Sequence, residues 1–413
     1  MTTAVVIGGG PAGLMAAEQL LQAGISVDLY DAMPSLGRKF LLAGIGGLNI
    51  THAEDWSSFL SRYPHAPNQL ISALNQFSSA EFVDWVHALG VETFIGSSGR
   101  VFPREMKAAP LLRRWLQRSR DLGLRTHVRH RLTAWQAMAD GQFALTFGTS
   151  EGVIKHHTQC VVMALGGASW AKLGSDGRWL AGYEQAGIRC QPLLASNCGF
   201  EVAWSDFMLT HAGAPLKNIS IQLPWLVSGA RLGEAVLTQH GLEGSLVYAL
   251  SAAIRQQLQS QGKATILLDL CPATSAEVVM AALTKPAKGK TMSQRLRALG
   301  LDAAKIALIH EAVKQSVHAE QVSYAELVKA LPVTLLAARP IDEAISCAGG
   351  VDFSEITAQF MVQRYPGLFC AGEMLDWDAP TGGYLLTACM ATGRQAGMAA
   401  AEFCITNQGV NDD

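Results

Sequence analysis

The chain opens on an apolar run, Ala4-Val5-Val6-Ile7, whose β-branched residues suit a strand buried on both faces. Gly8-Gly9-Gly10 and Pro11-Ala12-Gly13 follow, then a stretch of good helix formers from Leu14 to Leu21. Gly24 stands where such a helix would stop. Ile25 to Tyr30 alternates as a second strand and ends at Asp31. The pattern predicts strand, glycine turn, helix, strand and acid, which is one complete βαβ unit.

Further along, amphipathic spacing predicts helices over 79–90 and 108–122. Gly99 to Pro103 reads as a turn or loop between them. From about 125 to 165 the pattern changes to short alternating runs separated by turns such as Asp140-Gly141, which predicts a β-meander. Cys160 to Leu165 is a further buried strand, closed by Gly166-Gly167. Residues 193 to about 270 are again strand-like, clearest at Ile219 to Leu223 and Ala264 to Leu268, with a helix over 245–260. Residues 274–331 have helical composition, broken at Lys285 to Lys290. Gly367 to Gly372 is a strand running into a glycine turn. Thr381-Gly382-Gly383-Tyr384 then opens a long helix of small residues to Phe403. The whole reads as an α/β fold: a discontinuous Rossmann-like domain over 1–192 and 339–413, with a domain inserted over 193–338.

Composition narrows the classes. The 413 residues are 49% apolar and 16% charged, which excludes general disorder. Lys and Arg number 32 against 34 Asp and Glu, a net charge of −2. No basic excess asks for nucleic acid or an anionic membrane. No uncharged apolar stretch reaches the roughly 18–20 residues of a spanning helix. Ala4 to Ala17 lacks a preceding Lys or Arg and is broken by glycines, unlike a secretory leader. The eight cysteines form no CxxC and none sits with His at zinc spacing. They read as reduced, buried thiols of a cytoplasmic protein, and no metal site is expected.

Gly8, Gly10 and Gly13 fit G-x-G-x-x-G, with Pro11 and Ala12 between them. The first glycine permits the tight turn, the second lets backbone approach a pyrophosphate, and the third lets helix and strand pack closely. The helix N-terminus offers free N–H groups to a diphosphate. Asp31, followed by Ala32, stands where a carboxylate can accept ribose hydroxyls. The motif occurs once, so a nicotinamide cofactor would have no Rossmann unit of its own. A dinucleotide held in this way by an FAD enzyme needs a second glycine segment for its flavin end. Gly372-Glu373 and Gly382-Gly383-Tyr384 fit that role, the latter by presenting a helix N-terminus. A simple loop-to-helix turn explains Gly382-Gly383 equally well.

Several further segments recur in order: Gly37-Arg38-Lys39, Gly44-Ile45-Gly46-Gly47-Leu48-Asn49-Ile50-Thr51, Gly99 to Pro103, Ala164-Leu165-Gly166-Gly167, Gly349-Gly350-Val351 and Ala371 to Asp376. With the N-terminal fingerprint and Gly382-Gly383-Tyr384, they resemble the bacterial NAD(P)/FAD-dependent oxidoreductases called BaiN-like or aminoacetone-oxidase-like, over nearly the whole chain. The resemblance implies a two-part FAD domain interrupted by a β-barrel-like domain that carries a helical subdomain. It implies that Arg38, Lys39, Gly46, Gly47, Asn49, Ala164 and Gly166 lie at the cofactor. It further implies that Gly372, Glu373, Gly382, Gly383, Tyr384 and Leu385 hold the ribityl chain and isoalloxazine. The chain departs from the family pattern in Gly47-Leu48, where an Arg-Cys pair is usual, in Leu385, where Asn is common, and in Gln239, where His is common. It resembles a divergent subgroup.

A flavin carries its own electron-transfer chemistry, so no protein acid or base is obligatory. Candidates beside the glycine motifs are His52 as a proton shuttle, Arg100 as a carboxylate clamp, Tyr384 as a hydrogen-bond donor, and Lys107. Each has a plain alternative: a surface loop histidine, a salt bridge, a packed ring. Asp376 and Asp378 read as solvated loop carboxylates rather than a metal pair. The expected activity is hydride transfer from NAD(P)H through FAD to a small organic acceptor. The alternatives are an amine oxidase using oxygen, and a flavin-binding protein with a non-redox or tRNA-modifying role. The expected partner is a small-molecule substrate, with neither nucleic acid nor membrane.

Overall fold

The structure is a computed structural model and describes residues 3–285, 289–315 and 323–411. The chain divides into two compact units, Met1–Leu194 with Ile345–Asp413, and Ala195–Ala344.

The first unit is built on five parallel strands: β1 (Thr3–Ile7), β2 (Ser26–Asp31), β3 (Arg125–Val128), β4 (Val161–Met163) and β5 (Leu368–Cys370). Their order is β5-β4-β1-β2-β3. Val5 pairs with both Val161 and Asp28, and Val162 with Phe369, so β1 is central. Its side chains from Ala4 to Ile7 are buried, as a parallel sheet covered on both faces demands. Helix α1 (Pro11–Gln22) starts at the glycine turn, with Gly10 as N-cap and Pro11 in the first position, where a missing N–H costs nothing. Helices α2 (Arg38–Ala43), α3 (Ala108–Asp121) and α4 (Tyr384–Asn411) complete the frame around the sheet. Helix α4 crosses α1 at very short range. A Cβ on Gly393 would lie 2.3 Å from the Ala12 carbonyl oxygen, and one on Gly397 would lie 2.6 Å from that of Ala16.

One carboxylate ties α1 to its neighbours. Glu18 is fully buried and accepts from Trp85 Nε1 at 3.1 Å, Trp115 Nε1 at 2.7 Å and Arg118 Nη2 at 2.8 Å. Removing it strands the buried Trp115 indole donor and takes the acceptor from the partly buried Trp85 and Arg118. Glu18→Ala is therefore expected to cost about 3–5 kcal/mol in chemical denaturation, and Glu18→Gln, which keeps one acceptor, clearly less. Equal losses from the two variants would mean that the charge, not the hydrogen bonding, carries the effect.

Three sequence expectations need correction. The strand-like stretch that opens at about 125 does not begin the meander. Arg125–Val128 joins the parallel sheet beside β2, and the meander consists of Arg131–Ala137, Phe143–Thr149 and Gly152–Thr158. The chain turns between them at Arg129, which has φ 59°, while the Arg129 and His130 N–H groups donate to Met33 and Asp31 carbonyls. Gly99 to Pro103 is not simply a loop: Arg100–Pro103 is the middle strand of three, between Thr51–His52 and Thr93–Ile95. The helix over 245–260 is two helices, Ser245–Tyr248 and Ser251–Gln261.

The second unit is an antiparallel sheet of six strands in the order Phe200–Glu201, Gly241–Glu243, Arg231–Leu237, Pro215–Gln222, Ala264–Asp269 and Leu331–Leu335. The sheet closes on itself. The Glu201 N–H donates to the Ala337 carbonyl at 2.8 Å, and the Leu336 N–H to the Glu201 carbonyl at 2.9 Å. These bonds join the first and last strands of the sheet into a barrel-like closure. Helices Ala276–Thr284, Met292–Ala298, Ala303–Gln315 and Tyr324–Lys329 supply the helical part. Residues 286–288 of the expected break lie outside the described residues. Lys305 is buried in this unit and donates to the Leu270 carbonyl at 2.8 Å; burial pushes its ammonium below the usual lysine range. No helix among the described residues is long and apolar enough to cross a membrane.

Candidate cofactor site

At the carboxyl ends of β1, β2 and β4 the first unit opens into a cavity of about 840 Å³. Open parallel sheets place their ligand sites at that edge. The glycine turn forms its floor. Gly8, at φ 105°, packs so tightly that a Cβ there would lie 2.1 Å from the Ala164 carbonyl oxygen, and one on Gly13 would lie 1.9 Å from that of Gly8. Gly10 is the opposite case: a Cβ there meets nothing within 4 Å. Its backbone faces open space at the N-terminus of α1, where N–H groups lack helical partners.

Asp31 ends β2 on the cavity wall. Its Oδ2 accepts the Gly9 N–H and its Oδ1 the Met33 N–H, each at 2.7 Å. The carboxylate thus braces the turn and still faces the cavity with lone pairs to spare. Burial pushes it above the usual carboxylate range, against those two hydrogen bonds and the nearby Arg131 and Arg38. On the facing side Lys39 Nζ donates to Ser169 Oγ at 2.6 Å and to Glu373 Oε2 at 2.7 Å, and Glu373 Oε1 accepts the Cys347 N–H. Cys389 completes this end, its thiol held at about 12 by burial.

Twelve of the residues singled out in the sequence line this cavity: Gly8, Gly10, Pro11, Ala12, Asp31, Ala32, Arg38, Lys39, Ala164, Gly166, Gly372 and Glu373. Gly13 lies beneath it as a packing glycine. Gly46, Gly47, Asn49, Gly382, Gly383, Tyr384 and Leu385 stand outside its lining, around Thr51 and the start of α4. A Cβ on Gly383 would lie 2.4 Å from Thr51 Cα, Asn49 Nδ2 donates to the Thr51 carbonyl at 2.8 Å, and Gly47 lies against Met106.

None of the four catalytic candidates, His52, Arg100, Lys107 and Tyr384, is among the residues that line the cavity. His52 Nδ1 accepts the Glu54 N–H at 3.1 Å and Nε2 donates to the Ser98 carbonyl at 3.0 Å, so both ring nitrogens are engaged. Arg100 lies opposite His52 in the three-stranded sheet. Tyr384 is buried, and its hydroxyl donates to Glu54. Asp376 is not a solvated loop residue: it is half-buried and pushed above the usual carboxylate range by that burial. Among the described residues no group of three or more His, Cys, Asp or Glu side chains could hold a metal ion.

Some wall residues went unread in the sequence. Gly9 is as constrained as its neighbours, since a Cβ there would lie 2.4 Å from Leu36 Cδ2. Ser175 Oγ and Arg38 Nε are buried on the wall without a hydrogen-bond partner. Gly174 and Gly177, at φ 103° and 66°, flank Ser175 and were the available signal. Unpartnered donors, a bare glycine at a helix N-terminus and an acid held by N–H groups suit a ligand rich in phosphate oxygens and ribose hydroxyls. FAD fits that description.

The fold and the cleft thus define a dinucleotide-binding flavoprotein. The chain belongs to the family described as HI0933-like protein Rossmann domain, whose pattern matches residues 2–399. It is 27% identical over 413 residues to a 3-dehydro-bile acid delta(4,6)-reductase of Clostridium scindens, covering 96% of this chain and 98% of that protein. It is 24% identical over 397 residues to a ribosomal RNA dihydrouridine synthase of Haemophilus influenzae, covering 92% and 94%. In fold it is similar to the 3-ketosteroid delta1-dehydrogenase of Sterolibacterium denitrificans, with a TM-score of 0.54 at 11% identity over 97% of this chain and 100% of that one. The chain is an FAD-dependent oxidoreductase. Two of the relatives are named for acting on ribosomal RNA, so the near-neutral charge of this chain does not by itself exclude a nucleic-acid substrate.

Proposed function

We propose that this chain takes electrons from NAD(P)H onto FAD and delivers hydride to a carbon–carbon double bond conjugated to a carbonyl. The single observation that supports the cofactor reading is the cleft that Asp31 and the bare backbone of Gly10 both line. The acceptor class rests on the relatives. A delta(4,6)-reductase and a dihydrouridine synthase are both named for saturating a ring double bond. A 3-dehydro steroid and a uracil ring each place a carbonyl in conjugation with that bond.

In this reading Gly8, Gly10, Pro11, Ala12 and Gly13 present the α1 N-terminus to the diphosphate, with Ala164 and Gly166 beside them. Arg38 adds charge. Asp31, with Ala32, takes the ribose hydroxyls. The Lys39–Glu373 pair meets the ribityl chain. Gly46, Gly47, Asn49, Gly382, Gly383, Tyr384 and Leu385 surround the ring system. Bound there, FAD supplies hydride storage and transfer; the protein supplies position and electrostatics. NAD(P)H has no fingerprint of its own in the chain and therefore docks transiently at the flavin.

The test is anaerobic. The purified protein is expected to show flavin bands that NADH or NADPH bleaches, and a cyclic enone is expected to restore the colour without air. Bleaching by an amine but not by a nicotinamide would turn the reading to an oxidase. Colour restored by an RNA fragment and not by a free enone would favour reduction of a base in RNA, the second reading that the dihydrouridine synthases support. Absence of flavin bands after FAD is added would sink both.

A further inference from the structure

The cleft wall carries a hydroxyl that the protein itself leaves unused. Ser175 lines the cavity, is only 7% exposed, and its Oγ has no hydrogen-bond partner. Buried polar atoms are nearly always paired, so an unpaired one calls for an explanation. The turn around it is firmly held. Gly174 and Gly177 flank Ser175 and Asp176 at φ 103° and 66°. A Cβ on Gly174 would lie 2.7 Å from Met33 Cγ, and one on Gly177 would lie 2.9 Å from Ala168 Cβ. Arg131 Nη1 donates to Asp176 Oδ2 at 2.7 Å. The turn is thus pinned on both sides and through its acid, while the serine hydroxyl is left without a bond.

Its neighbours tell which part of a ligand would meet it. Met33 donates its N–H to the Asp31 carboxylate, so the turn closes on the Asp31 end of the cleft. On its other side Ser175 lies against the glycine turn after β4: a Cβ on Gly166 would lie 3.1 Å from Oγ. Ser175 therefore stands between the two features that the proposed reading gives to the ribose and to the diphosphate. Arg38, whose Nε is the other buried unpartnered atom among the lining residues, belongs to the same cavity. In the ligand-free wall the hydroxyl rests against Gly166, and one χ1 step turns it toward the cleft.

We infer that Ser175 is a further cofactor-binding residue, whose hydroxyl donates to a phosphate oxygen in the ADP half of the dinucleotide. The inference rests on the proposed reading of the cleft as an FAD site. A hydrogen bond to a charged acceptor is about twice as strong as one between neutral groups. The unpaired hydroxyl destabilises the empty protein, and the ligand relieves that. Deleting it must therefore move stability and affinity in opposite directions.

The test uses Ser175→Ala and Ser175→Cys in the full chain. Ser175→Ala is expected to raise the melting temperature of the FAD-free protein by about 2 °C. It is also expected to weaken FAD and ADP alike, each about tenfold in calorimetric titration. Ser175→Cys fills the same space but donates weakly, and is expected to weaken both by about threefold or more. A lower melting temperature in Ser175→Ala would overturn the inference, because the hydroxyl would then have a partner in the empty protein. Parental affinities in Ser175→Ala would overturn it, and so would full affinity in Ser175→Cys, since shape alone would then suffice. Weaker FAD with unchanged ADP would overturn it by moving the contact to the other half of the cofactor. A parent protein that binds neither FAD nor ADP would fail the cofactor reading instead, which separates the two outcomes.

Discussion

A Gly10→Ala variant is expected to fold like the parent and to lose at least a hundredfold in FAD affinity. The added methyl meets no protein atom within 4 Å, and Gly10 has φ −82°, which alanine adopts freely. Stability should therefore change by no more than about 0.5 kcal/mol. The methyl instead occupies the space in which a diphosphate approaches the α1 N-terminus. A hundredfold loss corresponds to about 2.7 kcal/mol. Gly13→Ala makes the contrast. Its methyl would lie 1.9 Å from the Gly8 carbonyl oxygen, so strand and helix must separate. That variant is expected to lose FAD binding and about 3 kcal/mol of stability together. Thermal unfolding of the FAD-free proteins, paired with FAD titration followed by flavin fluorescence, reads both quantities. Parental FAD affinity in Gly10→Ala would show that no phosphate passes over that residue.

The second large effect is expected at the α1–α4 crossing. Gly393→Val would place branched carbon 2.3 Å from the Ala12 carbonyl oxygen. Main chain is there on both sides, so no side chain can rotate away. A loss above about 4 kcal/mol is expected, among the largest that single substitutions give. Gly24→Ala is the control: at φ 79° but with nothing within 4 Å, it should cost only about 1–2 kcal/mol for the left-handed backbone. Denaturant midpoints of the two variants decide the matter. Near-equal midpoints would mean that α4 can ride up from α1 at little cost. Because Ala12 lines the cleft, Gly393→Val should also weaken FAD binding in whatever protein still folds.

What the sequence made legible was local. Gly8, Gly10, Gly13 and Asp31 could be read because a strand, a turn and a helix N-terminus impose their demands within about thirty residues. The barrel and the long C-terminal helix followed from resemblance and from strings of small residues. Partnerships across the chain were not readable. Gly393 and Gly397 carry a small-xxx-small spacing that matches Ala12 and Ala16 on α1, yet nothing in either segment names the other. Tyr384 looked free to serve a flavin until Glu54 claimed its hydroxyl. His52 looked like a proton shuttle until Ser98 and Glu54 engaged both nitrogens. Hydrogen-bond saturation depends on the tertiary neighbours, and one-dimensional pattern carries little of it. Arg125–Val128 was misassigned for a related reason. Its alternation suits either sheet, and the turn at Arg129 decides which one it joins.

The Lys39–Glu373 ion pair joins residues 334 apart in the sequence, and β5 pairs with β4 from an equally late position. During synthesis the fingerprint, α1 and β2 leave the ribosome first. The Ala371–Glu373 part of the wall arrives only after the whole barrel has been made. At roughly 5–20 residues per second that interval is tens of seconds. Until then β4 presents an unpaired edge and the cleft lacks its Ala371–Glu373 side. The cofactor can lock the domain only once the chain is nearly complete.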